Sequence, residues 1–189
     1  MGARPEQVPG SPSWLTETER ARAARFAHEA DRHSFVAAHL LVRLAAAAVL
    51  DVPAHTLTLL QHCDIHGPGH GRPYLKEHPE LGVSLSHTRG YVAAAAGPGR
   101  VGVDTERVPD GPFDAGLAAQ IAAPPDVTGN HDLIRLWTRK EALIKRGELS
   151  LDTVRSPVSW EGRHLLEWHV PPDILVAAVT DVRAGRVAL

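Results

Sequence analysis

The sequence predicts an α+β protein of two pseudo-symmetric lobes, each a long helix packed on a small antiparallel sheet. Three observations carry that prediction. Helical patterning is confined to two long stretches, roughly Asp31 to Leu50 and Leu133 to Arg146. Short stretches of strand length follow each helix. The two halves then share this order, one reaching "YVAAAAG" and the other "ILVAAVT". The expected division is a flexible N-terminal tail over 1–13, an N-terminal lobe over 14–108 and a C-terminal lobe over 109–189.

Taken in order, the first stretch is rich in Pro, Gly and Ser, the composition of a loose tail. Thr16 and Glu19 stand at capping-box spacing, so a helix should begin near Glu17. The Asp31 to Leu50 helix carries Phe35, Leu40, Val42, Leu44 and Val49 among its apolar positions, and "DVPAHT" breaks it. "TLTLL" reads as a strand, and "QHCDIHGPGHGRP" as a loop. "GVSLSHTRG" and "YVAAAAGPG" read as two strands turned at Arg89-Gly90. "RVGVDTERV" is a further strand, ended by "PDGP". Phe113 to Asn130 is weakly patterned, with "AAPPDVTGN" as a turn before the second long helix. The last part offers strands at "PVSW", "LLEWHV", "ILVAAVT" and "RVAL".

Composition narrows the class. With 189 residues, 43% hydrophobic and 22% charged, the chain can bury a substantial core. A formal charge of −2 gives no general attraction for nucleic acid or anionic lipid, so any basic site must be local. The single cysteine, Cys63, excludes an internal disulfide and suits a reducing compartment. "MGARPEQVPGSPS" lacks the apolar core of a signal peptide, and "HLLVRLAAAAVL" is too short a run to span a bilayer. The expectation is a soluble cytoplasmic protein.

Charged side chains at structural periodicities raise the functional question. On a strand, alternate residues share a face, so Asp104 and Glu106 point together. On a helix, Glu141 and Lys145 are neighbours one turn apart. With Leu133, Leu136, Trp137, Leu143 and Ile144 as the apolar stripe, that pair flanks the stripe and can reach a cleft. Lys140 falls near the stripe's centre, which is odd for a purely structural helix. Each motif alone is also what a solvated surface pair looks like.

Together these motifs resemble those of the 4′-phosphopantetheinyl transferase superfamily. "GVDTE" is similar to its GxDxE motif and "WTRKEALIK" to its WxxKExxxK motif. In order along the chain, "RHSFVAAHLLVR" resembles the family's N-terminal helix, "HGRPYL" its GKP-like loop and "SLSHTRGYVAAA" its SHS-like strand. The likeness spans about Arg20 to Asp152. It is closest to the large bacterial type that activates polyketide and nonribosomal peptide synthetases.

The resemblance implies transfer of phosphopantetheine from coenzyme A to a serine of an apo acyl or peptidyl carrier protein, releasing 3′,5′-ADP. It implies Mg²⁺ held by Asp104, Glu106 and Glu141, all oxygen ligands suited to a hard cation. Glu141 and Lys145 would be catalytic, with Glu141 taking the serine proton and Lys145 holding the leaving phosphate. Coenzyme A contacts would come from Arg22, Arg25, Arg72, Pro73, Ser86, His87 and Lys145. Arg32 or His33 would do the work of a family arginine where this chain has Ser34. Arg43 matches a further family arginine, or is a helix-surface charge. A two-lobed chain of this type is expected to act as a monomer. The segment between Glu106 and Trp137 is shorter than that of relatives and lacks their aromatic-rich helix. A non-catalytic carrier-binding module and a metal-dependent phosphohydrolase are the alternatives. His62, Cys63, His66 and His70 raise zinc, but their irregular spacing favours a Gly/Pro-rich turn with exposed histidines.

Overall fold

The computed structural model describes residues 1–63 and 67–189. It is a mixed α+β arrangement of long helices on small antiparallel sheets. Helices α1 (Glu17–Ala23) and α2 (Glu29–Leu50) precede a hairpin of β2 (Leu59–Cys63) and β3 (Gly67–Leu75). Strands β4 (Leu81–Thr88) and β5 (Tyr91–Pro98) follow, with β1 (Gly2–Ala3) added to the β5 edge. A third sheet has β6 (Val101–Arg107), β7 (His164–Val170) and β8 (Ile174–Thr180) in the order β6-β8-β7. Between β6 and β7 come α3 (Ala115–Gln120) and α4 (Asn130–Arg146).

The helix starts follow their caps. Thr16 Oγ1 accepts from Glu19 N–H while Thr16 N–H donates to Glu19 Oε2, the capping box expected at α1. Helix α2 packs on β4 and β5, and α4 on β6 and β8. The first contact buries Leu41, Val42 and Ala46 with Leu59, Val83 and Val92; the second buries Ala142 and Leu143 with Ala177 and Val179. A further apolar cluster joins the sheets, with Tyr91 and Ala93 against Val103, Ile174, Val176 and Ala178.

Two features draw β6 into place. Its outer edge faces β4, where Val103 N–H donates to Ser84 Oγ at 3.0 Å and Thr105 N–H to Ser86 Oγ at 3.3 Å. Serine side chains there satisfy backbone donors that no strand pairs. On the other side, a Cβ at Gly102 would stand 1.9 Å from the Ala142 carbonyl oxygen. Glycine lets the backbone of α4 rest directly on β6.

Several expectations need correction. The stretch 1–13 is docked: Gly2 and Ala3 pair with Ala93 and Val92, the Met1 amino nitrogen donates to Ala94 O at 2.8 Å, and Ala3 and Pro5 are buried. Short 3-10 turns at Pro5–Gln7 and Pro12–Trp14 shape the remainder, which its Pro-rich composition disguised. The strand expected at "TLTLL" begins later, and the expected loop after it is a hairpin in which Gly67, Gly69 and Gly71 adopt positive φ. No strand forms at 157–160, where Val158 and Trp160 pack on the Ala142 cluster as irregular chain, nor at 186–189, where Val187 and Leu189 are exposed. The weakly patterned 113–130 segment contains α3, capped by Asp114.

The apolar run in the first long helix belongs to a 22-residue helix long and apolar enough to cross a bilayer by length and composition alone. Most of it is buried against the sheet, which accounts for its hydropathy. Arg43 on this helix is not a surface charge. It is 0% exposed, and its guanidinium binds Glu19 at 2.7 and 2.9 Å and the carbonyls of His39 and Leu57. Removing one partner of such a pair leaves the other charge buried and alone. Glu19→Ala should therefore destabilise the fold by about 3–5 kcal/mol, read as a drop in the urea midpoint at unchanged slope.

Candidate active site

The acidic pair lies on β6 where β4 and α4 converge. Asp104 is only 3% exposed. Its Oδ1 accepts from Lys145 Nζ at 2.6 Å and from the Ser86 hydroxyl at 2.8 Å. Lys145 Nζ also donates to Ser86 Oγ at 2.7 Å. The strand, the helix and the β4 edge thus meet in one closed triangle. Asp104 Oδ2 is buried with no hydrogen-bond partner among the described residues.

The other two carboxylates share this field. Burial, then the charge of Asp104, pushes the Glu106 carboxyl up to about 7; Lys145 and a hydrogen bond from Trp137 oppose the rise, and Glu141 adds to it. Burial and Asp104 likewise raise Glu141, with Lys145 opposing. Asp104 and Glu106 thus face α4, and Glu141 and Lys145 face back. Three carboxylates meet one ammonium, an excess of negative oxygen chemistry suited to a hard cation. Among the described residues, however, no three ligand-type side chains converge at metal-holding distance. The fit lies in the donor chemistry and in the orphaned Asp104 oxygen, not in a formed coordination sphere.

Trp137 was legible as part of the apolar stripe and as the first residue of the "WTRKEALIK" motif, with no role assigned to its ring. Its indole N–H, a donor with no acceptor capacity, reaches Glu106. Lys140 proves to be a brace. It is buried and donates to the carbonyls of Ile121, Val154 and Ser156, tying the segments on either side of α4 to it.

The basic candidates divide. Arg22 and Arg25 line an open cavity of about 520 Å³ with Glu17, Phe26 and His70. Arg22 donates to Gln61 Oε1 at 2.7 Å and to the Gly69 carbonyl, and lies 5.3 Å from the Phe35 ring centroid. His87 approaches the same ring edge-on at 6.5 Å. Burial and the nearby Lys145 ammonium hold the His87 pKa below its ordinary value, with Asp31 opposing and Arg22 assisting. Phe35 thus connects the Arg22 side to the Lys145 side. Arg72 sits against Gly147, the residue that caps α4 two positions after Lys145. Pro73 is held in the hairpin opposite Gln61.

Arg32 is not brought to this group. It is exposed, pairs with Glu29 at 3.4 Å and lines a different open cavity with Leu15, Arg20 and His33. Position 33 lies about 160° around the helix from Phe35, and Arg32, though within about 60° of it, turns its guanidinium to Glu29 instead. Ser34 is buried and donates to the Ala30 carbonyl. Of the residues weighed for zinc, His66 lies outside the described residues.

Comparison with known proteins bears on the family of the chain. Residues 4–99 match the sequence model of the 4′-phosphopantetheinyl transferase N-terminal domain. That span holds α2, the hairpin and the Ser86-His87 strand, while the β6 and α4 motifs lie beyond it. The chain is also 25% identical over 177 residues to a 4′-phosphopantetheinyl transferase of Bacillus subtilis, covering 84% of this chain and 75% of that one. With half of its length matched by the family model, the chain belongs to the 4′-phosphopantetheinyl transferase family.

Proposed function

We propose that the protein transfers 4′-phosphopantetheine from coenzyme A to a serine of an apo acyl or peptidyl carrier protein, with Mg²⁺, releasing 3′,5′-ADP. The observation that supports this best is the Asp104–Lys145–Ser86 triangle with Glu106 and Glu141 in its field. On this reading the enzyme is a monomer of two related lobes, of the cytoplasmic type serving polyketide or nonribosomal peptide synthetases.

Asp104, through its orphaned oxygen, and Glu106 and Glu141 are the residues to hold the cation. When bound, Mg²⁺ neutralises phosphate charge and polarises the attacked phosphorus. The serine oxygen forms its bond to the β-phosphorus of coenzyme A as the bridging oxygen of 3′,5′-ADP leaves. Glu141 accepts the serine proton. Lys145 compensates the charge left on the departing phosphate. Arg22, Arg25, Arg72 and His87 supply cationic or donor groups for the nucleotide end.

Incubation with coenzyme A, Mg²⁺ and an apo carrier should add one phosphopantetheine to the carrier, read by intact mass. An unmodified carrier would leave a binding module, and hydrolysis without an acceptor a phosphohydrolase. Glu141→Gln should lower the single-turnover rate on the order of a hundredfold or more at saturating metal and coenzyme A, with carrier binding little changed.

The raised Glu106 pKa has a consequence for the metal-free fold. Its ordinary value is 4.5 and its folded value about 7, so the unfolded chain ionises first. The unfolded state then binds fewer protons across that window, and stability contributed by this group falls as pH rises through it. Urea unfolding in chelator should show that decline between pH 4.5 and 7. Glu106→Gln should flatten it.

A further inference from the structure

The Ser86 hydroxyl has one donor and room for two accepted bonds. All three are used: it donates to Asp104 Oδ1 at 2.8 Å and accepts from Lys145 Nζ at 2.7 Å and from Thr105 N–H at 3.3 Å. The residue is buried. A hydroxyl so committed has no capacity left for a phosphate oxygen, which argues against the direct coenzyme A contact that the family resemblance implied.

Its bonds act on one oxygen of Asp104 and leave the other alone. Oδ1 receives both the hydroxyl and the ammonium, while Oδ2 is buried without a partner among the described residues. A carboxylate free to turn about its terminal torsion would blur that distinction, since the two oxygens are chemically equivalent. From this geometry we infer that Ser86 is a positioning residue that divides the oxygens of Asp104 between two cations, Oδ1 for Lys145 and Oδ2 for a divalent metal ion. The catalytic part of this inference rests on the proposed transfer reaction; the metal-binding part does not.

Ser84 is the internal control. It stands two residues earlier on the same strand and accepts from Val103 N–H at 3.0 Å, the same edge-stitching bond that Ser86 makes to Thr105. It makes no bond to Asp104 or Lys145 among the described residues. A merely structural role would therefore be shared by the two serines, and the positioning role would belong to Ser86 alone.

The test is a titration of the full chain with Mn²⁺, followed by the electron paramagnetic resonance of free Mn²⁺, without coenzyme A or carrier. Ser86→Ala should weaken Mn²⁺ binding about tenfold or more, as lost support of a metal ligand does. Ser86→Thr, which keeps the hydroxyl, should restore binding to within about threefold of wild type, and Ser84→Ala should bind as wild type does. In the transfer assay Ser86→Ala should lower kcat and leave the KM for coenzyme A unchanged. Wild-type Mn²⁺ affinity in Ser86→Ala, equal weakening in Ser84→Ala, or a raised KM for coenzyme A at unchanged kcat would each overturn the assignment. If thermal melts show that Ser86→Ala does not fold, Ser86→Cys takes its place, because the thiol keeps the volume but is a weak donor. A wild-type chain that fails to modify any carrier, yet loses Mn²⁺ affinity in Ser86→Ala, would sink the proposed reaction and leave Ser86 as assigned.

Discussion

The contact on which this structure turns is an ammonium on a buried carboxylate. Lys145 and Asp104 meet at 2.6 Å, with the carboxylate side chain 4% exposed and the ammonium side chain 30% exposed. Taking a carboxylate out of water costs several kcal/mol, and one ammonium offsets that only in part. Such a pair is poor evidence for stability. The protein nonetheless places it where α4, β6 and β4 converge, and adds two further carboxylates whose protonation it already biases. A fold selected for stability alone would have filled that junction with apolar side chains. On the proposed reaction, the charge there is what the chemistry needs.

The basic side of the site is built on different physics. Arg22 and His87 come from separate elements, and the buried ring of Phe35 sets their spacing. An aromatic face favours the guanidinium, while the Gly69 carbonyl and Gln61 fix its direction. The hairpin and α1 are thereby clasped together, and the cavity beside them acquires its positive wall. Arg72 extends the same hairpin to the end of α4, where partial negative charge accumulates on unpaired carbonyls. Both ends of the site thus depend on a hairpin that propensity alone did not reveal.

What the sequence made legible was local or periodic. The Thr16–Glu19 box, the turn at Arg89-Gly90 and the shared face of Asp104 and Glu106 each follow from a spacing of two or three residues. The illegible parts depend on distant partners. Arg43 reads as a family arginine or a surface charge until Glu19, 24 positions away, is folded against it. Ser86 reads as a substrate contact until β6 lies beside β4. The first residues read as a tail because a strand of two residues draws its stability from the β5 edge it joins, not from its own composition. Alternating glycines at 67, 69 and 71 looked like loop punctuation, yet positive φ at each is compatible with an irregular hairpin.

The two lysines of α4 show how far side-chain type falls short of role. Five residues apart, they project about 140° from one another on the helix. Lys140 points into the packing below Ile121 and Val154, where three carbonyl oxygens take its three protons. Its charge is fully occupied in holding chain segments, and burial lowers its pKa. Lys145 points across the seam to an anion and a hydroxyl, and retains access to solvent. Neutral carbonyls can bind an ammonium, but they carry no net charge to pair with it. A carboxylate partner does. The ammonium with an anionic partner is the one at the edge of the seam, and the rotation between the two lysines is what separates a brace inside the packing from a group at the carboxylate cluster.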